Sequence, residues 1–212
     1  MIKGLLFDAD GTLIDTYDII LESMRATVNE RFGYDIADDD LMQGVGTPLL
    51  DQMMRFCADE TKAEEMVAAY RAHNDAIHDD RVHAFPGTRA ALDLFATHGY
   101  KMGVVTSKRH ELAVLGLEIC GLADCFEFVI GSDDWPEHKP SPGPVAHGAD
   151  LLELAPEECL YIGDSPYDIQ AGSAAGCTTV AALWGMFPTD ELMRESPDIA
   201  CESLHVLAKV IA

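Results

Sequence analysis

Apolar residues fall along this chain in short, almost unbroken runs. They are Gly4-Leu5-Leu6-Phe7, Met102-Gly103-Val104-Val105, Phe126-Glu127-Phe128-Val129-Ile130, Leu160-Tyr161-Ile162-Gly163 and Thr178-Thr179-Val180-Ala181-Ala182. Runs this short, with little polar alternation, predict strands buried on both faces of a parallel sheet. Between them, apolar positions recur at helical spacing over 88–98, 109–120, 143–154 and 166–175. The alternation predicts an α/β fold, a doubly wound parallel sheet.

One interval breaks the pattern. Residues 15–85 contain no strand signal. Tyr17, Ile20, Leu21, Met24, Val28 and Phe32 form a helical stripe over 16–32, and 60–79 is helical with Glu64, Glu65, Arg71 and Asp75 on polar faces. Pro86-Gly87 closes the interval. The expected organisation is a catalytic core of 1–14 and 86–212 with an all-helical cap of 15–85 inserted after the first strand. The same pattern also fits helices that simply extend one core.

Composition narrows the function classes. The 212 residues, 48% of them hydrophobic, suffice for one core plus a smaller insertion. The opening run Met1–Phe7 stops at Asp8, too short for a secretory apolar region, and no stretch reaches the roughly 18 apolar residues of a membrane helix. A soluble cytoplasmic protein is expected. The six cysteines, at 57, 120, 125, 159, 177 and 201, form no C-x-x-C pair and read as reduced, mostly buried thiols, with zinc or disulfides as the alternative. The net charge of −23, from 37 acidic and 14 basic residues, argues against nucleic acid and anionic membranes as partners. Much of that charge, as in Asp38-Asp39-Asp40 and Asp133-Asp134, reads as solvated surface. A site for an anionic substrate on such a protein must carry its own cations.

Four elements carry candidate chemistry. In Phe7-Asp8-Ala9-Asp10-Gly11-Thr12-Leu13 a strand runs into two carboxylates, which lie on the same side if the strand conformation continues, and Gly11 then permits a sharp turn. Strand carboxyl ends are where open α/β sheets bind ligands; a plain Asp/Gly turn is the alternative. In Val104-Val105-Thr106-Ser107-Lys108 a hydroxyl at a strand end can donate to a phosphate oxygen, though such residues are common there. In His138-Lys139-Pro140-Ser141-Pro142 the prolines stiffen a loop around one ammonium, which suits charge neutralisation or, in the bland case, a solvated lysine. In Tyr161-Ile162-Gly163-Asp164-Ser165-Pro166-Tyr167-Asp168, Asp164 either faces the strand-end crevice or caps the helix that Pro166 begins. Together Asp8, Asp10, Asp164 and Asp168 converge at one sheet edge. Carboxylates that close repel strongly, a hard divalent cation relieves the repulsion, and oxygen-only ligands select Mg2+.

These four elements, in this order, resemble the haloacid dehalogenase-like hydrolase superfamily over nearly the whole chain. The resemblance implies a Rossmann-like core and a Mg2+-dependent phosphatase acting on a small phosphorylated metabolite. It implies that Asp8 is the nucleophile, Asp10 the general acid and base, Thr106 (with Ser107) and Lys139 the phosphoryl-binding groups, and Asp164 a metal ligand beside Asp8 and the Asp10 carbonyl, with Asp168 behind. The helical insertion resembles the cap of the phosphoglycolate phosphatase-like branch, and Tyr70-Arg71-Ala72-His73-Asn74 and His78-Asp79 resemble the cap of its bacterial pyrophosphatases. A phosphoglycolate-type monoester is the first expectation; inorganic pyrophosphate and sugar phosphate mutase chemistry are alternatives. A 2-haloacid dehalogenase needs neither the second Asp nor a metal, and a non-catalytic phosphoryl sensor does not need all of Asp8, Asp10, Lys139 and Asp164. Specificity is expected on the cap: Gly46 and Thr47 in the loop Gln43–Pro48, which fits a backbone donor to substrate and a plain inter-helix turn equally, and Arg71, Asn74 and His78. Oligomeric state is not legible.

Overall fold

The computed structural model describes residues 1–211. In chain order its elements are β1 (Gly4–Phe7), β2 (Ile14–Asp15), α1 (Tyr17–Met24) continued by a π-helical stretch (Arg25–Arg31), α2 (Asp38–Met42), α3 (Leu49–Met54), α4 (Glu60–Arg81), β3 (His83–Ala84), α5 (Thr88–Thr97), β4 (Lys101–Val105), α6 (His110–Ile119), β5 (Val129–Ile130), α7 (Gly143–Leu151), β6 (Cys159–Gly163), α8 (Pro166–Ala175), β7 (Thr178–Ala182), α9 (Thr189–Arg194), β8 (Ile199–Cys201) and α10 (Leu204–Ile211).

Six strands form one parallel sheet in the order β5-β4-β1-β6-β7-β8. The chain leaves β1 towards one edge, through β4 and β5, and later returns to β6 beside β1 and continues towards the other. This is the doubly wound arrangement, and its direction reverses between β1 and β6, where such sheets form their ligand crevice. Both faces are buried, which is why the strands lack polar alternation. Leu5, Phe7, Val104, Leu160, Ile162 and Val180 pack with Ala91, Leu92 and Phe95 of α5 and Leu207 of α10. Leu6, Val105 and Tyr161 point the other way, onto Val145 and Ala149 of α7 and Ala171 of α8.

The helical interval has its own apolar cluster, built from Ile20, Leu21, Met24, Val28, Leu41, Met53 and Met66. Three details differ from the sequence expectation. The interval is bracketed by a two-residue antiparallel ribbon pairing Ile14 with Ala84 and Asp15 with His83, too short to leave a periodicity. The run Phe126–Ile130 forms a ladder only at Val129–Ile130, because it is an edge strand with β4 on one side alone; Glu127 N–H still donates to Met102 O at 2.8 Å ahead of it. The last strand, β8, has three residues and no sequence signal of its own.

Helix α7 approaches the sheet through Gly148, where a Cβ would come within 2.9 Å of Val105 Cγ2 and 3.2 Å of Leu6 Cδ2. Gly148→Leu is therefore expected to lower the unfolding free energy by about 1–3 kcal/mol through overpacking, read from the midpoint of urea unfolding.

Candidate active site

The loop after β1 and the loop after β6 meet at the reversal point. Asp8 and Asp164 leave adjacent strand ends, and both are almost fully buried. Two glycines make room for Asp164. Gly11 sits at φ 77°, a left-handed conformation that disfavours side chains, and a Cβ there would lie 2.2 Å from Asp164 Oδ2. Gly185, in the loop after β7, would collide with Asp164 Cβ at the same distance if it carried a side chain. Asp164 accepts hydrogen bonds from Met186 N–H at 2.7 Å and Thr12 Oγ1 at 3.3 Å. It is not the helix cap. Ser165 caps α8, with its side chain accepting from Asp168 N–H, and the Asp168 side chain closes the capping box.

Asp168 is completely buried and hydrogen-bonded on both oxygens. Oδ1 accepts from Lys139 Nζ at 2.6 Å and Tyr161 OH at 3.1 Å; Oδ2 accepts from Ser165 N–H at 3.0 Å and Ser165 Oγ at 2.6 Å. Lys139 is thereby pinned with its ammonium 3.1 Å from Asp8 Oδ1. Despite that proximity, Asp8 Oδ1 is buried and accepts no hydrogen bond of good geometry.

The expectation that four carboxylates converge holds for three. One oxygen from each of Asp8, Asp164 and Asp168 lies within 4.8 Å of the others. The Asp10 carboxylate turns elsewhere, accepting from Thr16 Oγ1 at 2.9 Å and from Lys108 Nζ at 3.0 and 3.1 Å. Gly11 redirects the chain immediately after Asp10, so period-two geometry ends there.

The electrostatics follow from burial. Burial pushes the Asp8 carboxyl up to about 6, with Asp168 and Asp10 adding to the rise and Lys139 and Thr106 opposing it. Burial, then Asp168 and Asp8, hold Asp164 well above the usual carboxylate range. Burial alone favours a neutral Lys139, but Asp168 and Asp8 outweigh it and keep the ammonium well above its ordinary value. Three acids and one lysine leave a surplus of negative charge, a buried carboxylate oxygen that accepts no hydrogen bond of good geometry and a hard-oxygen donor set. That combination fits a divalent cation.

A cavity of about 510 Å³ opens over these groups, between the sheet and the helical interval. Its walls include Asp8, Asp10, Thr106, Ser107, Lys108 and Asp164 from the sheet side, and Gly46, Thr47, Tyr70, Arg71 and Asn74 from the helical side. Gly46 carries φ 95° and seats its loop on the start of α8, and its carbonyl accepts from Ser107 Oγ at 2.6 Å. The Ser107 hydroxyl is thus spent on that loop. Thr47 Oγ1 donates to Gly44 O within the loop, and Asn74 is buried with its amide donating to Ser23 Oγ at 3.3 Å. His78 is not on the cavity wall; it is buried with its ring against Gly116 of α6. Burial, with Asp10 and Asp75, raises the Tyr70 hydroxyl far above its usual range, so it stays protonated.

Sequence reasoning missed Lys108, Tyr161 as a support for Asp168, and the 184–186 loop, where Trp184 Nε1 donates to Thr12 O at 3.0 Å. Only Lys108 had a usable signal: a scarce cation two residues beyond Thr106 at a strand end.

The chain is similar to known proteins. A family described as haloacid dehalogenase-like hydrolase matches residues 5–182. A relative from Caldanaerobacter subterraneus, provisionally named pyrophosphatase PpaX, is 39% identical over 99% of this chain and 94% of its own. Pyrophosphatase PpaX of Oceanobacillus iheyensis is 33% identical over 99% of this chain and 97% of its own. Among solved structures, a haloacid dehalogenase-like family hydrolase from Streptococcus pneumoniae superposes with a TM-score of 0.84 at 26% identity, covering 99% of this chain and 98% of that one.

Two outcomes are expected from the charge surplus. Asp164→Asn removes one of the crowded acids, so it should raise the thermal midpoint of the cation-free protein at neutral pH; the wild-type midpoint is expected to rise on adding Mg2+ and that of the variant is not, both read by calorimetry. Because the Asp8 carboxyl titrates at about 6 when folded and near 3.8 otherwise, its contribution to stability is full below 3.8 and is lost as pH rises through about 6. Without divalent cation, the wild-type midpoint should therefore fall relative to that of Asp8→Asn across this window, and Mg2+ should flatten the difference.

Proposed function

The chain belongs to the haloacid dehalogenase-like hydrolase family, and on that premise we propose that it is a Mg2+-dependent phosphohydrolase that cleaves inorganic pyrophosphate through an aspartyl-phosphate on Asp8. The observation that carries the reading is the buried cluster at the ends of β1 and β6, where Lys139 lies 3.1 Å from an Asp8 oxygen that accepts no hydrogen bond. The sequence favours a phosphoglycolate-type monoester; the pyrophosphatase names of relatives spanning the whole chain move the balance to pyrophosphate.

In this reading Asp8 attacks the phosphorus in line. The bond from phosphorus to the bridging oxygen breaks, its electron pair stays on that oxygen, and Asp10 supplies the proton. Asp10 then takes a proton from the water that attacks the aspartyl-phosphate, releasing orthophosphate and restoring the Asp8 carboxylate. Thr106 and Lys139 bind the phosphoryl oxygens, and Lys139 offsets the repulsion between two anions. Asp168, Tyr161 and Ser165 act through Lys139 by fixing where its ammonium stands. Asp8, Asp164 and the Asp10 carbonyl would hold Mg2+, which supplies further neutralisation of the phosphoryl charge. Residues 15–85 act as the cap, and its loop at Gly46 and Thr47, with Arg71 and Asn74, closes the site from water.

Asp8→Asn is expected to reduce turnover of p-nitrophenyl phosphate by at least about 1,000-fold with the fold retained; undiminished turnover in a folded variant would exclude Asp8 as nucleophile. In a substrate panel with Mg2+, kcat/KM for pyrophosphate should exceed that for 2-phosphoglycolate by at least about tenfold, a difference of one good polar contact. The reverse order returns the substrate to the monoester class.

A further inference from the structure

Lys108 is a nearly buried cation to which the proposed reaction gives no role. Its side chain is only 8% exposed, yet it stands on the cavity wall. Lys139, by contrast, is buried beside Asp8 and held by Asp168. The two lysines are divided by the carboxylates they touch: Lys139 touches Asp8, and Lys108 touches both oxygens of Asp10 at 3.0 and 3.1 Å.

We propose that Lys108 binds the leaving group, and that it selects substrates whose leaving group carries a negative charge of its own. This rests on the reading of Asp10 as the acid that protonates the bridging oxygen. If Asp10 reaches that oxygen, the ammonium bonded to Asp10 lies one hydrogen bond from the same atom and from whatever is attached to it. An ammonium has three donors, and among the described residues Lys108 Nζ bonds only to Asp10, so donor capacity remains for a substrate oxygen. Thr16 holds Asp10 from the other side at 2.9 Å, so Asp10 keeps a partner if Lys108 turns towards substrate.

Charge supports the assignment. The protein carries −23 overall, with 14 basic residues against 37 acidic ones, and a doubly anionic substrate has to enter against that field. Lys108, Arg109 and Arg71 are the lysine and arginine side chains on the cavity wall. Arg109 lies 3.6 Å from Asp75 of α4 and is partly exposed, and Arg71 is exposed on the same helix, which places both nearer the mouth. Lys108 is the one at the reacting end. The chemistry it fits is an oxyanion attached to the bridging oxygen: the second phosphate of pyrophosphate, or the carboxylate of phosphoglycolate. An aryl phosphate offers it nothing beyond the breaking bond.

The experiment compares wild type, Lys108→Met and Lys108→Arg on pyrophosphate, 2-phosphoglycolate and p-nitrophenyl phosphate with Mg2+, after circular dichroism confirms folding. Lys108→Met should lower kcat/KM about 100-fold for the anionic leaving group and about fivefold for the aryl one, the difference a charge-assisted hydrogen bond supplies, and Lys108→Arg should recover most of it. Whichever of the two anionic substrates shows the larger loss identifies the source of the charge. In calorimetry, Lys108→Met should weaken imidodiphosphate binding by about 30-fold relative to orthophosphate. Equal losses on all three substrates would mean that Lys108 serves only to orient Asp10, and would overturn the assignment while leaving the phosphatase reading intact. An unchanged selectivity would overturn it as well. A wild-type protein that turned over none of the three would overturn both.

Discussion

Three carboxylates crowded into a buried space are the constraint around which this molecule is organised. Asp8, Asp164 and Asp168 come together where the sheet reverses direction, and a single ammonium lies among them. Each acid meets the cost differently. Asp168 is satisfied by four donors and serves to hold its neighbours in place. Asp164 takes a backbone N–H and a hydroxyl and is still pushed towards its neutral form. Asp8 keeps an oxygen that faces the Lys139 ammonium yet accepts no hydrogen bond of good geometry. A protein selected only for stability would replace one of these acids by an amide, so the cluster marks a place where stability is given up for reactivity.

The surrounding fold exists to hold that cluster still. Asp8 and Asp164 follow neighbouring parallel strands whose register is fixed by burial on both faces, so their separation is set by the sheet rather than by loop packing. Gly11 and Gly185 give Asp164 its space, and the capping box of α8 fixes Asp168, which in turn fixes Lys139. Rigid supports of this kind hold a carboxylate to within a few tenths of an ångström, the tolerance that catalytic groups in general require.

The sequence was most legible where periodicity and local chemistry coincide. β1, β7 and α8 lie where the apolar patterning puts them, because the two strands are buried over almost all of their length and α8 buries one face, through Ile169, Ala171 and Gly172. The pairing of Asp8 with Asp164 was legible because both follow strand ends. The direction of the Asp10 side chain was not, since it depends on Gly11, Thr16 and Lys108 acting together. Short elements escaped for a different reason: two residues in β2, two in β3 and three in β8 cannot show a period. Polar helix residues were the least informative. Arg71, Asn74 and His78 look alike on the sequence, yet Arg71 is exposed at the cavity, Asn74 is bonded to Ser23 and His78 is sealed against Gly116.

The ribbon that pairs Ile14 with Ala84 brings the two ends of the helical interval to the distance of neighbouring strands, roughly 5 Å. A stretch that leaves and rejoins the sheet at nearly one point imposes almost no geometric demand on what lies between. Such a stretch is a cassette. Evolution can lengthen it, trim it or exchange it for another without moving Asp8, six residues upstream of the junction, and a protein engineer can graft a different insert at the same seam.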